Sequence, residues 1–421
     1  MPTPPLPLEV VALILSHLGD AVDESGRREN GKELALVCKA WTPLAYEMMF
    51  RDLKPKPKRD EGLIKFLFER PHLLAHVRQL DLSAFSPSTE SEDEAEDTEG
   101  TAEGDRKLSI LEEEDNVQPL YELVGGCIRL RTLNIPAGGP TINFLPFFAK
   151  SPSASTLTSL YLDSMGYQSF DVDNLASHLA KLKSLEVLEL RLCLFSTSPC
   201  SYNCQPPPDK VPLKRISLNI LGAFETNLHE LVTKALTDIL DPSTLTRCRL
   251  EDWKGDPFFL EWLPQCEALT TLIIEISEAE GVALCLEDIH AVLPELHALK
   301  ALVIATSPFD PSSATAELPS PIPLPIFLSA LPPNLVAAFL SAVYFEIDPS
   351  VPIYDVAAGE APPPGPGLLG FLQHDHGGDD ELPVIGKAEF RLMAKEGGTK
   401  EWVVLRLAVD SDEEEDFGDD A

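Results

Sequence analysis

The sequence predicts an α/β protein: a short helical module at the amino end, then an elongated array in which strand and helix alternate. Three observations carry this reading. A six-residue pattern, L-x-x-L-x-L with other apolar residues allowed, recurs at near-regular intervals. Helix-periodic stretches lie between its copies. The first fifty-odd residues hold more apolar side chains than so short a segment can bury.

At the amino end, Leu8, Val11, Leu15 and Leu18 follow the i, i+3, i+7 rhythm of one buried helical face, while Val10, Leu13 and Ile14 form a second. A second helix carries Leu34, Val37, Cys38 and Trp41, and a third, after a short link at Pro43, carries Leu44, Met48, Phe50 and Leu53. A segment of roughly 45 residues has too little volume to hide all of these. It reads as a docking module.

The residue order from Pro5 to Leu53 resembles an F-box: Leu6-Pro7 with Glu9, Ile14-Leu15-Ser16 closing on Leu18, Leu36-Val37-Cys38-Lys39 followed by Trp41, and a last aromatic before Arg51 and Leu53. Phe50 stands where the family often has Trp, and Ala21 to Lys32 lengthens the first link, a change with little closure cost. The resemblance implies docking on a Skp-type adaptor and, through it, a cullin-RING complex. It assigns Leu6, Pro7, Ile14, Leu15, Leu18, Val37, Cys38, Trp41 and Phe50 to adaptor contacts and the module's core. An ordinary three-helix cap on a larger domain would show the same periodicity.

The strand pattern begins at Val77, Leu130, Leu157, Leu185, Leu213, Leu245, Leu269 and Leu299, with a weaker ninth copy at Leu335. Apart from the first gap, the copies recur every 24 to 36 residues. Strand alternation sends the Leu positions inward and the intervening ones to solvent. Helices are expected at 117–124, 174–182, 225–240, 257–266 and 286–296. Short links between strands and helices imply right-handed crossovers and a parallel sheet. From about Val77 to Tyr344 the chain resembles an irregular leucine-rich-repeat solenoid, which implies parallel strands on the concave side and helices on the convex side. The family's Asn or Cys after the last Leu occurs only as Cys193, so no continuous Asn ladder is expected. A non-repeat α/β domain whose strands happen to start with Leu is the alternative.

The expected organisation is a helical module at 5–53, a helical linker at 54–76, the solenoid at 77–345 and a Pro/Gly-rich loop at 346–386. A C-terminal β-hairpin cap at 387–409, turning at Gly397-Gly398, and an acidic tail at 410–421 follow. Residues 86–115 form an acidic insert of net −11 and the tail carries eight acids, both expected to be disordered. Ile322 to Tyr344 lacks charge, but Pro323, Pro325 and Pro332-Pro333 break a spanning helix, so a buried helix, turn and strand are expected instead.

The net charge is −35, and −16 remains without those two runs. A field of that sign argues against nucleic acid and anionic membranes as partners. Eight scattered cysteines and the lack of a secretory leader or glycosylation sequon point to the cytoplasm or nucleus. Catalytic look-alikes fall away: GPGLLG at Gly365 follows three prolines instead of a strand, His374-Asp375-His376 sits in a Gly-flanked loop, and Cys200 and Cys204 lack a second pair. No active site, metal site or cofactor is assigned. Ser91 and Ser411 precede acids, as acid-directed kinases prefer.

On the strand face, Tyr161, Arg191, Arg215, Arg247 and Arg249 fall at outward positions and form a candidate stripe for binding anionic groups of a protein substrate. The competing reading pairs these arginines with Glu189 and Glu251 on the same face. Together the two resemblances imply a non-catalytic substrate receptor of an SCF-type ubiquitin ligase, acting by proximity. The alternative is a repeat scaffold with no link to ubiquitination.

Overall fold

A computed structural model describes residues 46–55 except 48, 61–83, 118–135, 145, 148–166, 172–194, 202–222 except 204, 228–251, 257–276, 286–306 and 322–341, with strand segments at 345–346, 353–355, 369–373, 388–394 and 400–406. The chain divides into two compact units. The first comprises Met1–Val211 with Gly222–Asn227, and the second Pro212–Leu221 with Leu228–Ala421.

In unit 1 the described elements are β1 (Asp52–Leu53), α1 (Glu61–Glu69), α2 (Pro71–Leu74), β2 (Gln79–Asp81), α3 (Gln118–Gly126), β3 (Thr132–Ile135), β4 (Ser159–Gly166), α4 (Val172–Leu179) and β5 (Val187–Leu194). Strands β1 to β5 pair in chain order and all in parallel. Unit 2 begins with β6 (Arg215–Gly222), α5 (Leu228–Ile239), β7 (Arg247–Glu251), α6 (Pro257–Trp262), β8 (Thr271–Ile276), α7 (Leu286–Val292) and β9 (Ala301–Thr306). It continues with β10 (Ile322–Pro323), α8 (Leu324–Ser329), β11 (Ala337–Ser341), β12 (Phe345–Glu346), β13 (Ile353–Asp355), β14 (Leu369–Gln373), β15 (Ala388–Ala394) and β16 (Lys400–Arg406). Its main sheet runs β6-β7-β8-β9-β11-β14-β15-β16-β13, and β10 pairs separately with β12. The alternation of strand and helix about a parallel sheet fits a solenoid.

All nine copies of the strand pattern form strands, each opening at the pattern's third residue. They stand in one register: Gln79, Thr132, Ser159 and Val187 are partners in unit 1, and Arg215, Arg247, Thr271, Ala301 and Ala337 in unit 2. The first, fourth and sixth residues of each copy are buried; Leu157, Leu160 and Leu162 are 0%, 0% and 5% exposed. Each such Leu, Ile or Val side chain contributes about 1.5–3 kcal/mol through burial. A backbone link sets the step between copies. The carbonyl of the second residue accepts from two successive N–H groups of the next copy, as Arg78 O does from Arg131 N at 2.7 Å and Thr132 N at 3.0 Å. The same link recurs at Arg131, Thr158, Lys214, Thr246, Thr270 and Lys300.

That link also exposes a copy earlier than expected. Arg51 O accepts from Arg78 N at 2.8 Å and Gln79 N at 2.9 Å, so Phe50-Arg51-Asp52-Leu53 opens the array. Phe50 and Leu53 fill its first and fourth core positions at 6% and 5% exposure. The boundary at 53 and the repeat start at 77 are therefore corrected: β1 belongs to the sheet, and α1 and α2 are the helices between its first two strands. They bury Ile64, Leu67, Leu73 and Leu74.

A further core position lies three residues before most copies. Leu74, Cys127, Leu182, Cys266 and Leu296 are buried there, and each carbonyl accepts from the first N–H of the copy that follows. The helices lie where helical periodicity placed them. The charge-free stretch becomes helix α8 and strand β11, and no helix among the described residues is long and apolar enough to cross a membrane.

The loop expected at 346–386 is corrected by β13 and β14 within it. Leu369–Gln373 extends the sheet in parallel with β11, Phe371 opposite Phe339, and in antiparallel with β15. Flanking prolines and glycines hide this five-residue strand from composition. Strands β15 and β16 pair in antiparallel, Leu392 opposite Trp402 and Phe390 opposite Val404, and the turn expected at Gly397-Gly398 lies outside the described residues. The acidic insert and tail lie outside the described residues.

Candidate functional site

Strand alternation leaves the third and fifth positions of each copy facing outward, so each unit presents a row-ordered sheet face. In unit 1 one row reads Asp81, Asn134, Tyr161 and Glu189 across β2 to β5. Asn134 Nδ2 donates to Asp81 Oδ1 at 3.0 Å, and Lys54 Nζ lies 3.1 Å from Asp81 Oδ2. Burial opposes ionisation of Asp81, but hydrogen bonds from Ser83 and Lys54 outweigh it and hold its carboxyl below the ordinary range. Arg191 is exposed and pairs with Glu189 at 3.2 Å. Asp163, its register partner, is pushed up by burial despite the Arg191 charge. On this face Asp81 is held by Lys54 and Asn134, and Arg191 by Glu189.

Unit 2 is different. Arg249 sits between two carboxylates: its Nη2 donates to Glu275 Oε1 at 2.9 Å and Oε2 at 3.1 Å, and its Nε lies 3.1 Å from Glu251 Oε1. The Glu251 contact falls outside hydrogen-bond alignment, so charge alone holds it. Asn219 Nδ2 donates to Glu251 Oε2 at 2.8 Å and completes the cluster. Arg215 and Arg247 are exposed and are register partners, and among the described residues neither forms an ion pair. Beyond Arg249 the same row turns apolar with Ile273, Val303 and Phe339, all half-buried.

The sequence-read stripe is thus resolved residue by residue. Arg191 and Arg249 take the competing fate, neutralised on their own face, while Arg215 and Arg247 remain open to a ligand. Tyr161 stands in the polar row of unit 1. Glu275 was missed because it comes from the following copy. The apolar row was missed because each of its members is one outward residue in a separate copy.

Of the residues assigned by the F-box resemblance, Leu6, Pro7, Ile14, Leu15, Leu18, Val37, Cys38 and Trp41 lie outside the described residues. Phe50 is described, and it is buried at the first core position of the earliest strand copy. Its ring lies 6.1 Å from that of Tyr46. His374, Asp375, His376, Cys200, Cys204, Ser91 and Ser411 are also outside. Among the described residues no cluster of His, Cys, Asp or Glu could hold a metal ion. Burial pushes the thiols of Cys127 and Cys266 up to about 12 and raises Cys248 as well, which removes them as nucleophiles.

No protein-family model matches the chain, and no curated protein matches it. Solved structures of two leucine-rich-repeat proteins are similar over 52% of the chain. One is a TLR13–ssRNA13 complex, at 19% identity, a TM-score of 0.26 and 30% coverage of that chain. The other is an internalin, InlF, from Listeria monocytogenes str. 4b F2365, at 13% identity, a TM-score of 0.21 and 63% coverage. This chain therefore spans less than two thirds of either. Likeness at that level carries no argument about function, and the repeat architecture rests on the strand register described above.

Proposed function

We propose that this chain is a non-catalytic recognition subunit whose repeat-built sheet face in unit 2 binds a protein partner. The observation that carries the proposal is the register of that face, which sets two unneutralised arginines beside an apolar row in a chain of net −35. Apolar area supplies affinity, and the guanidinium pair supplies orientation and selection for anionic side chains.

In its finer form, the partner is a substrate presented to an SCF-type cullin-RING ubiquitin ligase. The support is the F-box-like order from Leu6 to Trp41 immediately before the first repeat. Those residues dock a Skp-type adaptor, and the sheet holds the substrate near the ubiquitin-charged enzyme, raising its effective concentration. The chain works in the cytoplasm or nucleus in this reading.

Affinity capture of the full chain against a variant lacking residues 1–45 tests this. The deletion stops short of Phe50, so the first repeat is spared. Loss of the adaptor with retention of other partners is expected. Capture without adaptor by either chain, alongside a partner sensitive to R215A/R247A, would favour a scaffold unrelated to ubiquitination.

A further inference from the structure

The second residue of each strand copy links the columns through its backbone carbonyl, so the fold places no demand on the side chain there. Threonine uses the position to reinforce the link: Thr158, Thr246 and Thr270 each donate a hydroxyl to the carbonyl one copy back, at 3.1, 2.9 and 3.0 Å. The first three copies carry arginine instead. Arg51, Arg78 and Arg131 stand at the entry edge of β1, β2 and β3, at steps of about 5 Å, and Arg129 joins the third column two residues ahead of Arg131. Arg78 is taken by Glu47. Arg51 lies 3.9 Å from Asp52 with 56% of its side chain exposed, a contact of little worth in water. Arg129 and Arg131 are exposed and form no ion pair among the described residues. The Arg129 charge still reaches its neighbours: His76 is held below the ordinary histidine range by burial, with Arg129 adding to the effect against Glu47. These arginines share one field.

We infer that this edge of unit 1 is a second recognition surface, which takes an extended peptide segment with carboxylates about three residues apart and an apolar side chain between them. Charge complementarity selects the occupant, since Arg51, Arg129 and Arg131 lack strong partners on one edge of a chain of net −35. The same net charge repels nucleic acid. Spacing favours separate carboxylates over one phosphoryl group, because Arg51 and Arg131 start two strand spacings, about 10 Å, apart. Three residues of extended chain cover that distance at roughly 3.3 Å each. Ile128, 46% exposed and next to Arg129 in the chain, supplies the apolar contact. The surface is built by unit 1 alone and does not rest on the reading of the unit 2 face.

The test titrates a fluorescein-labelled peptide of five Glu-Leu-Gly repeats against the full-length chain carrying R215A/R247A, followed by fluorescence anisotropy. Those substitutions keep the unit 2 arginines from contributing. Binding is expected, declining steeply with salt. Adding R51A/R129A/R131A should weaken it at least about 10-fold, as three surface charge contacts are lost. A peptide of Gln-Leu-Gly repeats should not bind. The three arginines are exposed and the glutamine peptide leaves the protein untouched, so misfolding cannot mimic the result. No binding, equal binding after R51A/R129A/R131A, or equal binding of the glutamine peptide would each overturn the inference. Binding that appears only when residues 86–115 are replaced by a Gly-Ser run of equal length would also overturn it, by assigning the edge to the chain's own acidic insert. Because the parent chain already lacks Arg215 and Arg247, failure here leaves the proposed function standing.

Discussion

Arg249→Ala should destabilise unit 2 by about 2–3 kcal/mol. Arg249 contacts carboxylates at 2.9 and 3.1 Å, and those carboxylates belong to Glu251 and Glu275, register partners on β7 and β8. With the guanidinium gone, two anions face each other about 5 Å apart, a repulsion of roughly 3 kcal/mol at an effective dielectric of 20. Glu275 keeps 31% side-chain exposure, which discounts that figure, whereas Glu251 at 13% has little water to turn to. Asn219 still donates to Glu251 and offsets part of the loss. Arg215→Ala, on the neighbouring strand without an ion pair, should change stability by no more than about 0.5 kcal/mol. Urea unfolding of R249A, E275Q and R249A/E275Q gives the coupling. The double variant should recover about 1 kcal/mol relative to R249A, because one of the opposed charges is removed. Equal midpoints for R249A and R215A would refute the reasoning.

Glu47 accepts a hydrogen bond from Arg78 at 2.9 Å, which holds its carboxyl below the ordinary glutamate range despite partial burial. A depressed folded value means that its stabilisation is complete above the unfolded value and is lost as pH falls through the folded one; E47Q should therefore flatten the acid limb of a thermal-melt-versus-pH curve. Asp163 has the opposite sign. Burial raises its folded value, so its ionised form costs stability as pH rises through that value, and D163N should melt at or above the wild-type temperature at neutral pH. Cys127, Cys248 and Cys266 should resist iodoacetamide at neutral pH in the folded chain and react after denaturation, as read by peptide mass spectrometry. Labelling of Cys248 without denaturant would contradict its burial.

The strands were legible because three side chains per copy must be buried at fixed positions, and that demand survives irregular spacing. Leu157, Leu160 and Leu162 show it directly. Phe50-Arg51-Asp52-Leu53 escaped because Lys54-Pro55 breaks the expected sixth position, and its membership is declared by a backbone carbonyl that sequence does not display. The core position at Cys127 and Cys266 was also hidden, since a buried cysteine looks like any other small apolar residue. On the faces, sequence gave the outward residues but not their partners. Arg249 and Glu275 are 26 residues apart and meet only once the register is set.

The twin acceptance by each second-position carbonyl separates a column's identity from the length of chain between columns. Gaps of 24 and 36 residues deliver their strands to the same rung spacing. Outward residues of the sheet can then be exchanged one column at a time, and intervening segments lengthened, without moving neighbouring letters of the recognition surface. Such a surface acquires new specificity by substitution within a fixed grid.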